Sequence, residues 1–379
     1  MGGGVVADGQ TISKAAAATN ALTHTPPAEG GFSIFWITDT QFLSESNPGL
    51  FRQMNHWIVE HWTEYNGRLV IHTGDVVQNG NQVQEWKNAN DAMSVLLQNG
   101  IPYTWCAGNH DNWILDDETS GWMGNSWGAP SLDPATVGNA INQGKWPMGK
   151  DTYGAPGSFN NQAQWVGDYH NGMNTAVSFQ ANGINFLVIT LEWKAHPEVM
   201  EWASGIMDDP NYAYHRVVLA PHAYVDAWGL KNDARWGPVI ADFVKGFTTL
   251  IQGHSQNVFL TLNGHFATDS GYNTPNPIDY RNELMFDRQD CTDYPNDFQG
   301  RGVDNVTQDT PDIDKVGAAT VTILNFDTAN GRINASTYNV YTGRWRMDSA
   351  NQYSIPMFPV PAPTPPVISG GGRALTVSK

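Results

Sequence analysis

Three nearly continuous apolar runs, FSIFWIT at 32–38, RLVIHTG at 68–74 and IPYTWCAG at 101–108, are separated by two stretches of helical periodicity. A run that is apolar at successive positions makes a strand only where both faces are buried, which in practice means strands covered by helices. Between the first two runs, Asn47-Pro48 supplies a helix start with Pro at the first helical position, and Phe51, Met54, Ile58 and Trp62 follow at helical spacing. Between the second and third, Val83, Trp86, Met93 and Leu97 form the inner face of another helix. This order predicts parallel strands with crossover helices, and places chemistry just past the carboxyl ends of the strands. Asp39, Asp75 and Asn109 all stand there.

Residues 112–174 break the pattern, being rich in Gly, Asn and Trp without periodicity, and read as an insertion near the mouth of a site or as a packed excursion on the core. Regular structure resumes with TAVSFQA and INFLVITL, a hairpin around Asn182-Gly183. Pro197 opens a helix with Val199, Trp202, Ala203 and Ile206 inward. HRVVLA at 215–220 is a strand leading into Pro221-His222, and NVFLTLNG at 257–264 is another, ending at His265. ATVTILNFD and RINASTYNVY form a second hairpin around Thr328-Ala329-Asn330-Gly331. Two such halves fit an α/β fold, a two-sheet β-sandwich flanked by helices.

With 379 residues, 40% of them hydrophobic, the chain can bury a large core. Residues 1–31 read as an N-terminal arm, 32–350 as the folded domain and 351–379 as a Pro/Gly-rich C-terminal tail. The tail contains PVPAPTPPV and then Ala374-Leu375-Thr376-Val377, a strand-compatible segment able to add to a sheet edge of another subunit. Self-assembly through the two tails is therefore an expectation. The net charge of −17 repels a phosphate backbone, so nucleic-acid binding is not expected. No apolar run of about 20 residues exists to span a membrane. Cys106 lies in an apolar run and reads as a buried small side chain, while the eight aspartates between 287 and 314 lack EF-hand spacing and read as a solvated loop. The sequon Asn305-Val306-Thr307 and the scarcity of Lys lean towards an extracellular setting.

Five segments stand at the strand ends in order: ITDTQ, TGDVVQNG, AGNHD, APHAY and NGHFA. Carboxylate, amide and imidazole groups in this arrangement suit two divalent cations about 3.5–4 Å apart, which clamp a phosphoryl group and activate water. From about residue 32 to 342 the chain resembles the calcineurin-like metallophosphoesterase superfamily, in a bacterial branch with Gln after DT in the first motif. The resemblance implies that superfamily's αββα sandwich and one or two divalent ions such as Zn, Mn or Fe. It implies Asp75 as the bridging ligand, Asp39 and Gln41 for the first metal, and Asn109, His222 and His265 for the second. His110 resembles the acid that protonates the leaving oxygen of a phosphomonoester or phosphodiester substrate. His72, inside LVIHTG, reads instead as a buried core residue.

The sequence departs from that pattern at three positions. Gln41 replaces a His, and an amide oxygen is the weaker ligand for zinc-like metals. Gln78 stands where an acid usually orients the catalytic His, so His110 is expected to lose its partner. Ala267 stands where a second His would bind the first metal, with Asp269 the nearest group able to replace it. One good site and one weak site are expected. Two functions stay open: a metal-dependent phosphoesterase, or a catalytically weakened protein of the same fold whose tails pack on neighbouring subunits.

Overall fold

The computed structural model describes residues 31–80, 82–111, 162–169, 172–225, 237–265, 272–275, 282–285, 319–341, 343–347 and 351–357. Nearly all of the arm at 1–31, the acidic segment 287–314, and the tail beyond residue 357 lie outside these, as do residues 112–161 of the expected insertion, Ala267, Asp269 and the sequon.

The described residues form two seven-stranded sheets. In the first, β1 (Phe32–Ile37), β2 (Gly67–His72) and β3 (Tyr103–Trp105) run parallel, and β1 pairs antiparallel with β11 (Thr320–Asp327). Next comes β12 (Arg332–Asn339), whose outer edge is shared by β13 (Arg344–Arg346) and β14 (Gln352–Pro356). The second sheet runs β4 (Trp165–Tyr169), β5 (Asn174–Ala181), β6 (Ile184–Leu191), β7 (Arg216–Pro221), β8 (Val258–Asn263), β10 (Asn282–Met285) and β9 (Tyr272–Pro275), with β6, β7, β8 and β10 parallel.

The pleat sends alternate side chains to opposite faces. Phe32, Ile34 and Trp36 of β1 meet Phe186 and Val188 of β6 and Val218 of β7 between the sheets. Phe35 and Ile37 belong to the outer layer, with Phe51, Met54 and Ile58 of α2 (Pro48–His61). α3 (Val83–Gln98) packs beside α2, tied by the Asn55 side chain donating to Ala92 O at 3.0 Å. On the other sheet the outer layer holds α4 (Pro197–Asp208) and α5 (Gly237–Gly253), with Val217 and Leu219 of β7 in the same cluster as Val199 and Phe247. The architecture is therefore helix, sheet, sheet, helix. A short α1 (Gln41–Ser46) follows β1.

Three sequence boundaries are corrected. Trp165–Tyr169, placed in the insertion, is a strand hydrogen-bonded to β5. Gln352–Pro356, placed in the tail, is a strand on the edge of β12, where Pro at the strand end costs no ladder bond to a further neighbour. The third apolar run yields a strand of only Tyr103–Trp105, because its last residues leave the sheet to build the site.

Phe32 is the centre of the inter-sheet core, with ring centroids 4.6 Å from Phe326, 5.3 Å from Phe186 and 6.1 Å from Phe179. Phe32→Ala should destabilise the fold by about 3–5 kcal/mol, and Phe32→Leu by markedly less, in urea unfolding followed by tryptophan fluorescence.

Candidate metal centre

Asp39 follows β1, Asp75 follows β2, Asn109 follows β3, His222 follows β7 and His265 follows β8. At three of these exits the backbone turns back on itself: φ is +50° at Asp39, +54° at Asp75 and +73° at His265. Each left-handed non-glycine residue costs about 1–3 kcal/mol and persists only where surrounding bonds enforce it. Here those bonds run between exits. Asp39 N donates to Gly74 O at 2.9 Å, and Gly264 N donates to His222 O at 2.9 Å. Trp193 N donates to Ala107 O at 2.8 Å, joining the end of the first sheet to the end of the second.

Asp39, Asp75 and Asp111 are each held by at least one amide from a different motif. His265 N donates to Asp39 Oδ1 and Oδ2 at 3.2 and 3.1 Å, and Thr38 Oγ1 donates to the same group. His110 N donates to Asp75 Oδ1 at 2.9 Å. Asp111 accepts Val76 N and Val77 N on Oδ1 at 2.8 and 2.9 Å, and Gly108 N on Oδ2 at 2.8 Å. The chain passes Asp75 so closely at Gly108 that an added Cβ would collide with the carboxylate.

The imidazole of His222 shows what this cluster is built for. Its Nδ1–H donates to Thr73 O at 2.7 Å, so in the neutral ring Nε2 carries a lone pair. That Nε2 lies 3.0 Å from Asn109 Oδ1 and 3.4 Å from Asp75 Oδ2. Three electron-rich atoms thus converge with no donor supplied by the neutral side chains. A second proton on His222 or a cation among them satisfies the arrangement. The ligating atoms of Asp75, His222 and His265 all lie within 4.8 Å of one another, and the set fits a divalent ion. Asn109 adds its amide oxygen to this group. Asp39 joins through His265, and Gln41 opens α1 as a buried residue two positions on.

Burial would raise the pKa of Asp75, but His222, then His110 and His265, draw it below the usual carboxylate range. Burial favours neutral His222, yet Asp75 overcomes this and raises its pKa. His265 is pushed well down by burial and by His222, which leaves a neutral imidazole. Burial, with Asp75 beside it, pushes Asp111 up to about 7 against the pull of its amides. His72 is fully buried and its pKa is lowered to about 3, chiefly by burial, while its ring nitrogens bind Thr40 Oγ1 at 2.9 Å and Gly74 N at 3.1 Å. Cys106 is a free, buried cysteine whose pKa burial raises, so it stays a thiol.

The expectation that His110 loses its orienting partner is corrected. His110 Nδ1–H donates to the backbone carbonyl of Gln78 at 3.0 Å. The Gln78 side chain takes no part, and its Oε1 is buried without a hydrogen-bond partner among the described residues. Sequence reasoning also passed over Asp111, although it closes the AGNHD segment, and over Trp193 and Lys194. The Trp193 ring lies 4.2 Å from that of His265, and Lys194, in a left-handed conformation with φ +49°, sets its Nζ 5.0 Å from the Trp193 ring.

A two-sheet sandwich with Asp, Asn and His gathered beyond its strand ends defines a metallophosphoesterase architecture. The sequence profile of the calcineurin-like phosphoesterases matches residues 32–256, and the chain belongs to that family. It is 26% identical over 319 residues to the uncharacterized protein YvnB of Bacillus subtilis, covering 83% of this chain but only 20% of that much longer one. Among solved structures it is similar to GAP50, the anchor in the inner membrane complex of Plasmodium, at 12% identity and TM-score 0.46, covering 86% of this chain and 89% of that one. It is also similar to the purple acid phosphatase PPD1 of yellow lupin, at 13% identity and TM-score 0.45, covering 87% and 55%. No helix among the described residues is long and apolar enough to cross a membrane.

The sign of the His72 effect on stability follows from its lowered pKa. Below the ordinary value of 6.5 the unfolded chain takes up a proton that the folded chain refuses, so the stabilisation present above pH 6.5 is lost as pH falls towards 3. Between about pH 5.5 and about pH 4, where the unfolded imidazole is largely protonated and the folded one is not, this group alone contributes a slope approaching about 1.4 kcal/mol per pH unit. His72→Gln should remove about that much from the measured slope, in urea unfolding of chelator-treated protein across this range.

Proposed function

We propose that the chain is a metal-dependent phosphoesterase acting on a phosphomonoester or phosphodiester. The observation that carries the reading is the convergence of His222 Nε2 on Asn109 Oδ1 and Asp75 Oδ2, with His265 beside them. Asp75, Asn109, His222 and His265 would hold one divalent ion, and Asp39, Gln41 and the shared Asp75 a second, weaker one. A divalent ion held there supplies Lewis-acid charge and lowers the pKa of a water. The identity of that ion is open among Zn, Mn and Fe.

The chain's own groups supply the rest. His110 is part-buried beside Asp75, with its Nδ1 engaged by Gln78 O, so its ring is fixed in the orientation that serves a leaving oxygen through the other nitrogen. Lys194, a nearly buried residue, places its ammonium by the tilted Trp193–His265 ring pair, a position that favours an anionic substrate over a neutral one. The amides that hold Asp39, Asp75 and Asp111 fix the site before substrate arrives, which lowers the cost of reorganisation.

The test is hydrolysis of an aryl phosphate monoester and an aryl phosphate diester by the full chain supplied with Mn²⁺ or Zn²⁺. Wild-type protein should cleave at least one ester, and Asp75→Asn should lose at least about 100-fold in kcat/KM, beyond what loss of an outer-shell group costs. A wild type inert on both esters would favour the second reading, an assembly protein that retains the fold. Undiminished hydrolysis by Asp75→Asn would place the activity elsewhere.

A further inference from the structure

A carboxylate lies close to the Gln78 backbone, in the first turn of α3. Glu85 is buried there, and its carboxylate accepts three hydrogen bonds, each of 2.8 Å: Gln78 N and Asn79 N on Oε2, and Asn79 Nδ2 on Oε1. The Asn79 N–H and the Gln78 C=O belong to one peptide unit. Its N–H end faces the Glu85 carboxylate, and its C=O end accepts His110 Nδ1–H at 3.0 Å. We propose that Glu85 is the positioning residue for His110, acting as the missing acid through one intervening peptide bond. This rests on the phosphoesterase reading in so far as His110 has a leaving oxygen to serve.

The physical argument has two parts. A carboxylate at the N–H end of a peptide unit polarises that unit, which makes its carbonyl oxygen a stronger acceptor. A charge-assisted bond is also roughly twice as strong as a neutral one, so the 78–79 turn is held firmly in the geometry His110 needs. A second clamp fixes the same turn from the other side. Gly80 N donates to His110 O at 3.0 Å, and the Trp86 indole N–H donates to Gly80 O at 2.8 Å. Residues 85 and 86 of one helix thus grip the loop that grips His110. Glutamine at 78 is no defect in such a design, because only its main chain is used.

The test compares wild type, Glu85→Gln, His110→Ala and the double variant on two esters, a nitrophenyl phosphate with a good leaving group and an alkyl phosphate with a poor one. An acid that protonates the leaving oxygen matters most for the poor leaving group. Glu85→Gln should lower kcat on the alkyl ester by about 10- to 100-fold, keep the nitrophenyl rate within about threefold, and retain bound metal. The double variant should be no slower than His110→Ala alone, as expected for residues acting as one unit. In protein labelled with ¹⁵N-histidine, the His110 Nδ1–H signal should be seen in wild type and lost to exchange in Glu85→Gln. Glu85→Asp keeps the charge on a shorter arm, should show the same pattern at smaller amplitude, and carries the test if the Gln variant does not fold. Equal losses on both esters, losses that add to those of His110→Ala, loss of metal, or an unchanged Nδ1–H signal would each overturn the assignment. If wild type cleaves neither ester, the phosphoesterase reading fails, and the imidazole signal alone decides whether Glu85 holds His110.

Discussion

Three carboxylates, Asp39, Asp75 and Asp111, are buried together at one end of the sandwich, and most of the site's geometry follows from that. Taking an ion out of water costs several kcal/mol even after relaxation, and like charges worsen it. The chain offsets this cost with amides drawn largely from other motifs: His265 for Asp39, His110 for Asp75, and Val76 and Val77 for Asp111, which also takes Gly108 N from its own segment. A hydrogen bond to a charged group contributes about 1.5–3 kcal/mol, so these bonds are the largest local forces available to shape the loops. The loops that follow β1, β2, β3 and β8 are thereby cross-linked through their acids rather than packed side by side.

That cross-linking explains the strained backbone. Asp39, Asp75 and His265 turn into left-handed conformations so that carboxylates, amides and imidazoles can face one another over a short span. The two sheets meet behind them through a buried hydroxyl network. Thr104 Oγ1 lies 2.7 Å from Thr175 Oγ1, which donates to Trp105 O at 2.8 Å and lies 3.0 Å from Thr190 Oγ1. This seam fixes the spacing between the end of β3 and the ends of β5 and β6, and so between Asn109 and Trp193.

Much of this was legible in the sequence, for a physical reason. A strand buried on both faces must be apolar throughout, so a polar residue immediately past its end has no packing role and stands out as chemistry. Asp39, Asp75 and Asn109 stand out that way, while His222 and His265 take their expected roles from the resemblance carried by the five motifs together. What was missed had weaker signals. Phe243, Val244, Phe247, Leu250 and Ile251 of α5 recur at helical spacing, but Pro238, Gly246 and two threonines dilute the pattern. Gln352–Pro356 shows no apolar run because it is an edge strand, specified by its bonds to β12 rather than by burial. Asp111 and Glu85 could not be told from solvated acids, since their meaning lies in backbone amides that a sequence does not display. Gln78 reads as the loss of the partner that orients His110 for the same reason: the orienting acceptor is a carbonyl, which every residue carries.

Asp75, Asn109 and His222 point electron-rich atoms at one another, an arrangement that a bound cation would satisfy. Elemental analysis of the full chain after supply of Zn²⁺ or Mn²⁺ and thorough desalting tests it most directly, with His222→Ala run in parallel. About one ion should be retained per wild-type chain and none in the variant. Failure of the wild type to retain any ion, or retention unchanged without His222, would contradict it.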